Sequence, residues 1–304
     1  MYKKMLVPLD GSKLAEEVFT YAKELAGRLD LDLILLHVCG AEERELAPMH
    51  QAYVERAAEL VDRQSEEIRE RTGGQPGAKG RKAQGDLAVG QPAEEILRYA
   101  DENDIDLILM ATHGRSGVTR WAIGSVADKV LRASKVPVWL VRAGIPEEIV
   151  YDKWPRRTML VPLDGSELAE AVLPHVEALA KQRGAELVDV VLLAICEPGV
   201  LPPDYPRAEG VVNWDEHVAI VKGAKVQYLN GVEKRLTDAG LNVRSEVLMG
   251  DAANEIVNYA SSSPFNLIVM STHGRSGVSR WVFGSVAAKV LQGVSSPILL
   301  VRPR

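Results

Sequence analysis

Met5–Val18, MLVPLDGSKLAEEV, returns as Met159–Val172, MLVPLDGSELAEAV. That recurrence sets how the rest of the chain is read. A second pair supports it: Thr112–Leu131, THGRSGVTRWAIGSVADKVL, returns as Thr272–Leu291, THGRSGVSRWVFGSVAAKVL, with 16 of 20 positions identical. The spacing between copies drifts only from 154 to 160 residues, so one unit of about 150 residues, an ordinary domain size, is written twice. The expected organisation is a first domain over residues 1–143, a linker over 144–157 and a second domain over 158–304.

Each unit alternates short apolar runs with longer amphipathic segments. This is the pattern of a parallel sheet whose crossover helices cover both faces. Strands are expected at Met5–Leu9, Leu31–Val38, Arg81–Val89, Asp106–Ala111 and Val136–Arg142. In the second unit they fall at Met159–Leu163, Leu187–Ile195, Leu241–Met249, Asn266–Ser271 and Pro297–Arg302. The fold class is therefore α/β: two tandem doubly wound domains, each a five-stranded parallel sheet in the order 3-2-1-4-5 flanked by helices. Ser12 stands where the N-cap of the first helix belongs, with Leu14, Val18, Tyr21, Ala22 and Leu25 on one face. Val54, Ala57, Leu60, Val61 and Ile68 give a helix over residues 47–71, ended by the Gly/Pro-rich run Gly73–Gly80.

Composition narrows the class of function. The 304 residues are 46% hydrophobic and 26% charged, and nothing approaches the roughly 20 consecutive apolar residues of a membrane span. The start, MYKKMLVPLDGS, runs directly into the first strand without an apolar leader, so the expectation is a cytoplasmic protein with no membrane partner. A net charge of −6 speaks against a broad nucleic-acid surface. Cys39 and Cys196 occupy equivalent strand ends without metal or redox spacing and read as packing residues. A proline-rich insertion in the second unit, Glu197–Gly210, is either a lid or a plain surface loop.

In open parallel sheets, ligands bind beyond the carboxyl ends of the strands, at the point where the strand order reverses. Both repeated motifs fall there. The loop Gly114–Gly124 lets backbone N–H groups approach an anion, and Ser125 then opens a helix and is expected to cap it. Arg115 and Arg120 supply charge, and Arg275 repeats Arg115. The alternative is that these glycines only turn the chain and the arginines are solvated; duplication of the whole loop favours the anion site. Asp10 and Asp164 read as nucleotide-contacting carboxylates, as ligands for a Mg²⁺ that also takes phosphate oxygens, or as plain turn residues. His113, with Ser116 and Asp10, lacks the GxSxG elbow of a hydrolytic triad and is better placed to hydrogen-bond the loop. Neither a GxGxxG nor a GxxxxGK[ST] motif occurs. Trp121 and Trp281 read as packing or interface residues.

These motifs resemble the universal stress protein family, and the likeness covers nearly all of both units. The family's ATP-binding subgroup carries Gly, two residues, Gly, nine residues, then Gly-Ser or Gly-Thr after strand four. Gly114 and Gly124-Ser125 match this pattern, as do Gly274 and Gly284-Ser285, while Ala111 and Ser271 replace the first glycine. The resemblance implies adenine-nucleotide binding (ATP, ADP or AMP, with Mg²⁺ as a candidate companion) at two sites. The first site would comprise Pro8, Leu9, Asp10, Val38, Ala111, His113, Gly114, Arg115, Gly124, Ser125 and Val126. The second would comprise Pro162, Leu163, Asp164, Ile195, Ser271, His273, Gly274, Arg275, Gly284, Ser285 and Val286. Within these sets the backbone of Val38 and Ile195 is expected to read adenine. The resemblance also implies pairing through the last strands, Val138–Val141 with Ile298–Val301, as an intramolecular pseudo-dimer, with further homodimerisation and a regulatory protein partner as extensions. The functional expectation is a stress-response sensor without catalytic residues. Slow ATP hydrolysis and a nucleotide-independent, chaperone-like interaction role are the alternatives.

Overall fold

The computed structural model describes residues 2–71, 82–112, 123–142, 157–197, 214–262, 265–274 and 283–303. The first repeat runs β1 (Lys4–Leu9), α1 (Lys13–Glu16), α2 (Phe19–Leu29), β2 (Asp32–Cys39), α3 (Ala47–Arg71), β3 (Ala83–Val89), α4 (Pro92–Glu102), β4 (Leu107–Ala111), α5 (Ser125–Ala133) and β5 (Val138–Val141). The second runs β6 (Arg157–Pro162), α6 (Glu167–Glu170), α7 (Leu173–Arg183), β7 (Val188–Cys196), α8 (Trp214–Asp238), β8 (Asn242–Met249), α9 (Ala252–Ser262), β9 (Leu267–Ser271), α10 (Ser285–Gly293) and β10 (Ile298–Val301).

The strands form one ten-stranded sheet in the order β3-β2-β1-β4-β5-β10-β9-β6-β7-β8. Within each half every pairing is parallel and the order is 3-2-1-4-5. The halves join where β10 pairs antiparallel with β5, placing Leu299 opposite Trp139 and Leu300 opposite Val138. Successive residues in a strand point to opposite faces, and here both faces are apolar. Met5, Val7 and Leu9 of β1 enter a core shared with α2 and α3, while Leu6 enters a second core shared with α4 and α5. Cys39 and Cys196 are buried at the ends of β2 and β7, and neither is in a disulfide.

The two halves also clasp each other through helix ends. Arg142, just after β5, donates from Nη2 to the carbonyls of Leu291 (2.6 Å) and Gln292 (2.7 Å) at the end of α10. Arg302, just after β10, donates to the carbonyl of Arg132 (3.1 Å) near the end of α5. Each guanidinium therefore meets carbonyls left without partners in the last turn of a helix.

Several local expectations change. The first helix divides into α1 and α2, and in the second repeat Pro174, which has no N–H to donate, lies at the start of α7. Leu60 points away from the core at 41% exposure, because the buried stripe of α3 follows Val54, Ala57, Ala58 and Val61. Arg157, expected in the linker, begins β6 and is buried. The rest of that linker after Arg142, the Gly73–Gly80 run and the insertion beyond Glu197 lie outside the described residues.

Candidate functional site

Each site begins with a turn that the sequence Asp-Gly-Ser dictates. Gly11 has φ +77° and Gly165 φ +92°, a left-handed conformation that a side chain strains. With the chain turned there, Asp10 Oδ1 accepts from the Ser12 N–H (3.0 Å) and hydroxyl (2.6 Å), and Ser12 Oγ in turn accepts from Ala15 N as the N-cap of α1. Asp164, Ser166 and Ala169 repeat the arrangement at 2.9, 2.6 and 3.1 Å. Asp10 and Asp164 are thus turn-formers through one oxygen and cleft residues at the same time. In the second site, a Cβ added to Gly274 would lie 2.4 Å from Asp164 Oδ2, so the glycine-loop backbone rests against this carboxylate.

The opposite wall is the start of α5 or α10. Gly124 N donates to Thr112 O (2.8 Å) and Gly284 N to Thr272 O (2.9 Å), which pins each helix entrance to the end of β4 or β9. The expected capping role of Ser125 is not what forms. Gly124 and Gly284 are the N-caps, Ser125 and Ser285 are the first helical residues, and neither helix has a side-chain cap hydrogen bond. The leading N–H groups of both helices and their positive dipole ends therefore remain available to an anion.

These walls enclose two clefts at corresponding places, of about 600 Å³ in the first repeat and 310 Å³ in the second. Pro8, Leu9, Asp10, Val38, Ala111, Gly124, Ser125 and Val126 all line the first. Pro162, Leu163, Asp164, Ile195, Ser271, His273, Gly274, Gly284, Ser285 and Val286 all line the second. His113, Gly114, Arg115 and Arg275 lie outside the described residues. Ala111 and Ser271, which replace the first motif glycine, are the last residues of β4 and β9, and neither has positive φ. The Ser271 hydroxyl accepts from His273 N at 3.2 Å.

Sequence reasoning missed several cleft residues. In the first repeat His37 lines the cleft; its Nδ1 lies 3.0 Å from Leu9 O, and its ring stacks on His50 of α3 with centroids 4.4 Å apart. Glu42 and Glu43, in the 3-10 turn Ala41–Leu46 after β2, line the same cleft. In the second repeat Lys225 of α8 is buried at the cleft and donates to Asp164 O. Nearby, burial first and then the carboxylates of Glu170 and Asp164 push the Tyr228 phenol well above its usual range. The signal for Lys225 was a comparison of helices: Tyr53 and Tyr228 face the matched carboxylates Glu16 and Glu170, and His50 and Lys225 each stand three residues earlier. Among the described residues no group of three or more His, Cys, Asp or Glu side chains could hold a metal ion, and no helix is long and apolar enough to cross a membrane.

The universal stress protein family model matches residues 1–142 and again 155–302. The chain belongs to the universal stress protein family. Its tandem arrangement is shared by the universal stress protein Rv2005c of Mycobacterium tuberculosis, 22% identical over 305 residues that cover 98% of this chain and 96% of the relative. Single-unit relatives match about half of the chain. Universal stress protein YxiE of Bacillus subtilis is 32% identical over 149 residues, 47% of this chain and 100% of the relative. Among solved structures, a universal stress protein from Archaeoglobus fulgidus superposes with a TM-score of 0.67 at 21% identity, covering 98% of each chain, and so shares the fold.

Proposed function

We propose that this universal stress protein binds adenine nucleotides, ATP foremost, in two pseudo-symmetric clefts and serves as a stress-response sensor whose nucleotide state is read by a protein partner. One observation carries the reading. In each repeat the aspartate turn after the first strand, the end of the fourth strand and an uncapped helix N-terminus converge on one cleft of nucleotide size. The phosphates would lie against Gly124–Val126 and Gly284–Val286. The base would lie toward the backbone of Val38 and Ile195, at the far ends of β2 and β7. A Mg²⁺ companion would use the carboxylate of Asp10 or Asp164 together with phosphate oxygens, since among the described residues neither cleft offers a protein cage.

The test begins with denatured, freshly purified protein, whose released nucleotide is identified by mass spectrometry, followed by calorimetric titration of the emptied chain with ATP and AMP. Ser125→Glu and Ser285→Glu place a carboxylate where α5 and α10 begin. The helix dipole favours that charge, so each helix is retained while the anion is repelled. Each variant is expected to lose about half of the bound ATP, and the double variant all of it. No bound nucleotide and no heat from the unaltered protein would overturn the reading in favour of an interaction role.

A further inference from the structure

We infer that the two clefts differ in their need for a divalent cation, because Lys225 gives the second an additional positive charge that the first obtains from a metal ion. The inference rests on the nucleotide reading above and concerns which groups balance the phosphate charge.

The repeated loops cannot supply the difference. Arg115 and Arg120 in one copy correspond to Arg275 and Arg280 in the other, so the loops carry the same arginines. Among the described residues the contrast lies in the walls. At the second cleft, Lys225 is only 8% exposed, and its ammonium is held on the main-chain oxygen of Asp164, the residue that opens the site. Among the described residues, the other ionisable groups lining this cleft are Asp164, Glu197 and His273. At the first cleft the matched helix position is His50, packed flat on His37, and the described lining adds Glu42 and Glu43 to Asp10 without any lysine or arginine. Ala194 stands in the second repeat where His37 stands in the first, so the whole stacked pair is exchanged for alanine and lysine.

A buried ammonium beside Asp164 acts in two directions. It attracts phosphate oxygens in a partly desolvated cleft, where charge interactions are strong, and it repels a divalent cation from the same carboxylate. The first cleft has the opposite balance: its carboxylates repel a bare polyphosphate and welcome one that arrives with Mg²⁺.

The experiment uses the full chain, emptied of nucleotide, and counts bound ATP by calorimetry in EDTA and in Mg²⁺. The unaltered protein is expected to bind about one equivalent of ATP per chain in EDTA and about two in Mg²⁺. Lys225→Met, neutral and similar in length, is expected to weaken the EDTA-resistant site by at least about tenfold, and Lys225→Arg to restore it. His50→Lys tests the converse, adding EDTA-resistant binding to the first cleft. Thermal melting of each variant checks folding, and a lysine that merely braced Asp164 would lower the melting temperature without changing the metal dependence. Equal Mg²⁺ dependence of both clefts, or an unchanged EDTA-resistant site in folded Lys225→Met, overturns the inference while leaving nucleotide binding standing. Failure to bind ATP even with Mg²⁺ overturns both.

Discussion

At Gly11 and Gly165 the backbone is left-handed, and the turn it makes brings Asp10 and Asp164 onto their serines. Alanine at either position is expected to destabilise the chain by about 1–2 kcal/mol, read as a lower urea midpoint with an unchanged slope. Ala111 and Ser271 behave differently. Both end strands without positive φ, so restoring the family glycine there relieves no backbone strain. Ala111→Gly is therefore expected to change ATP affinity by less than about threefold in calorimetry. Ser271→Gly also removes the hydroxyl that accepts from His273 N and should weaken the second cleft more than Ala111→Gly weakens the first. The aspartates and the turn glycines Gly11 and Gly165 were legible because their residue types are bound to a local geometry. His37, Glu42 and Lys225 were not, because they reach the clefts only through the packing of β2 and α8 and the turn after β2.

At the scale of the element, the strands were the easiest to read, since a β-strand buried on both faces is a run of apolar residues whatever it packs against. Helix details were harder. Leu60 fits a helical stripe in sequence, but only the position of the sheet beneath α3 decides which stripe is covered. Likewise, Ser125 has the chemistry of a cap, yet pairing of Gly124 N with Thr112 O shifts the cap back by one residue. Tyrosines that tie these elements together make alkaline stability a test of the packing. Burial foremost, with the Asp106 carboxylate next, pushes the Tyr2 phenol above its usual value of about 10. Burial and then Asp86, to which it donates at 2.6 Å, do the same to Tyr99 in α4. A phenol whose folded pKa is raised keeps its proton in the native state after the unfolded chain has released it. Its stabilising contribution is therefore complete below about pH 10 and is lost as pH rises beyond that. The melting temperature should fall steeply above pH 10, and Tyr2→Phe with Tyr99→Phe should flatten the fall in a pH series of thermal melts.

At the scale of the whole molecule, β5 and β10 pair along what would otherwise be two open sheet edges, burying Trp139 opposite Leu299. Burial lowers the basicity of the Arg142 guanidinium, yet it spans the seam to cap α10, as Arg302 caps α5. Arg142→Ala is expected to cost about 1–2 kcal/mol, measured by chemical denaturation, with Arg302→Ala costing less because its bond to the Arg132 carbonyl is longer, 3.1 Å against 2.6 and 2.7 Å. By itself the sequence determined that one α/β unit occurs twice, which residues open each cleft and that Gly124 and Gly284 stand at its helix entrance. Those features follow from local periodicity and from residue types tied to one backbone geometry. The joining of β5 to β10 was implied by the family resemblance and is what the sheet shows. Only the tertiary structure decided that Arg142 and Arg302 exchange helix caps and that one cleft holds a lysine where the other has a stacked histidine pair. These depend on side chains separated by tens to hundreds of residues meeting across packed elements, and no local pattern encodes such a meeting.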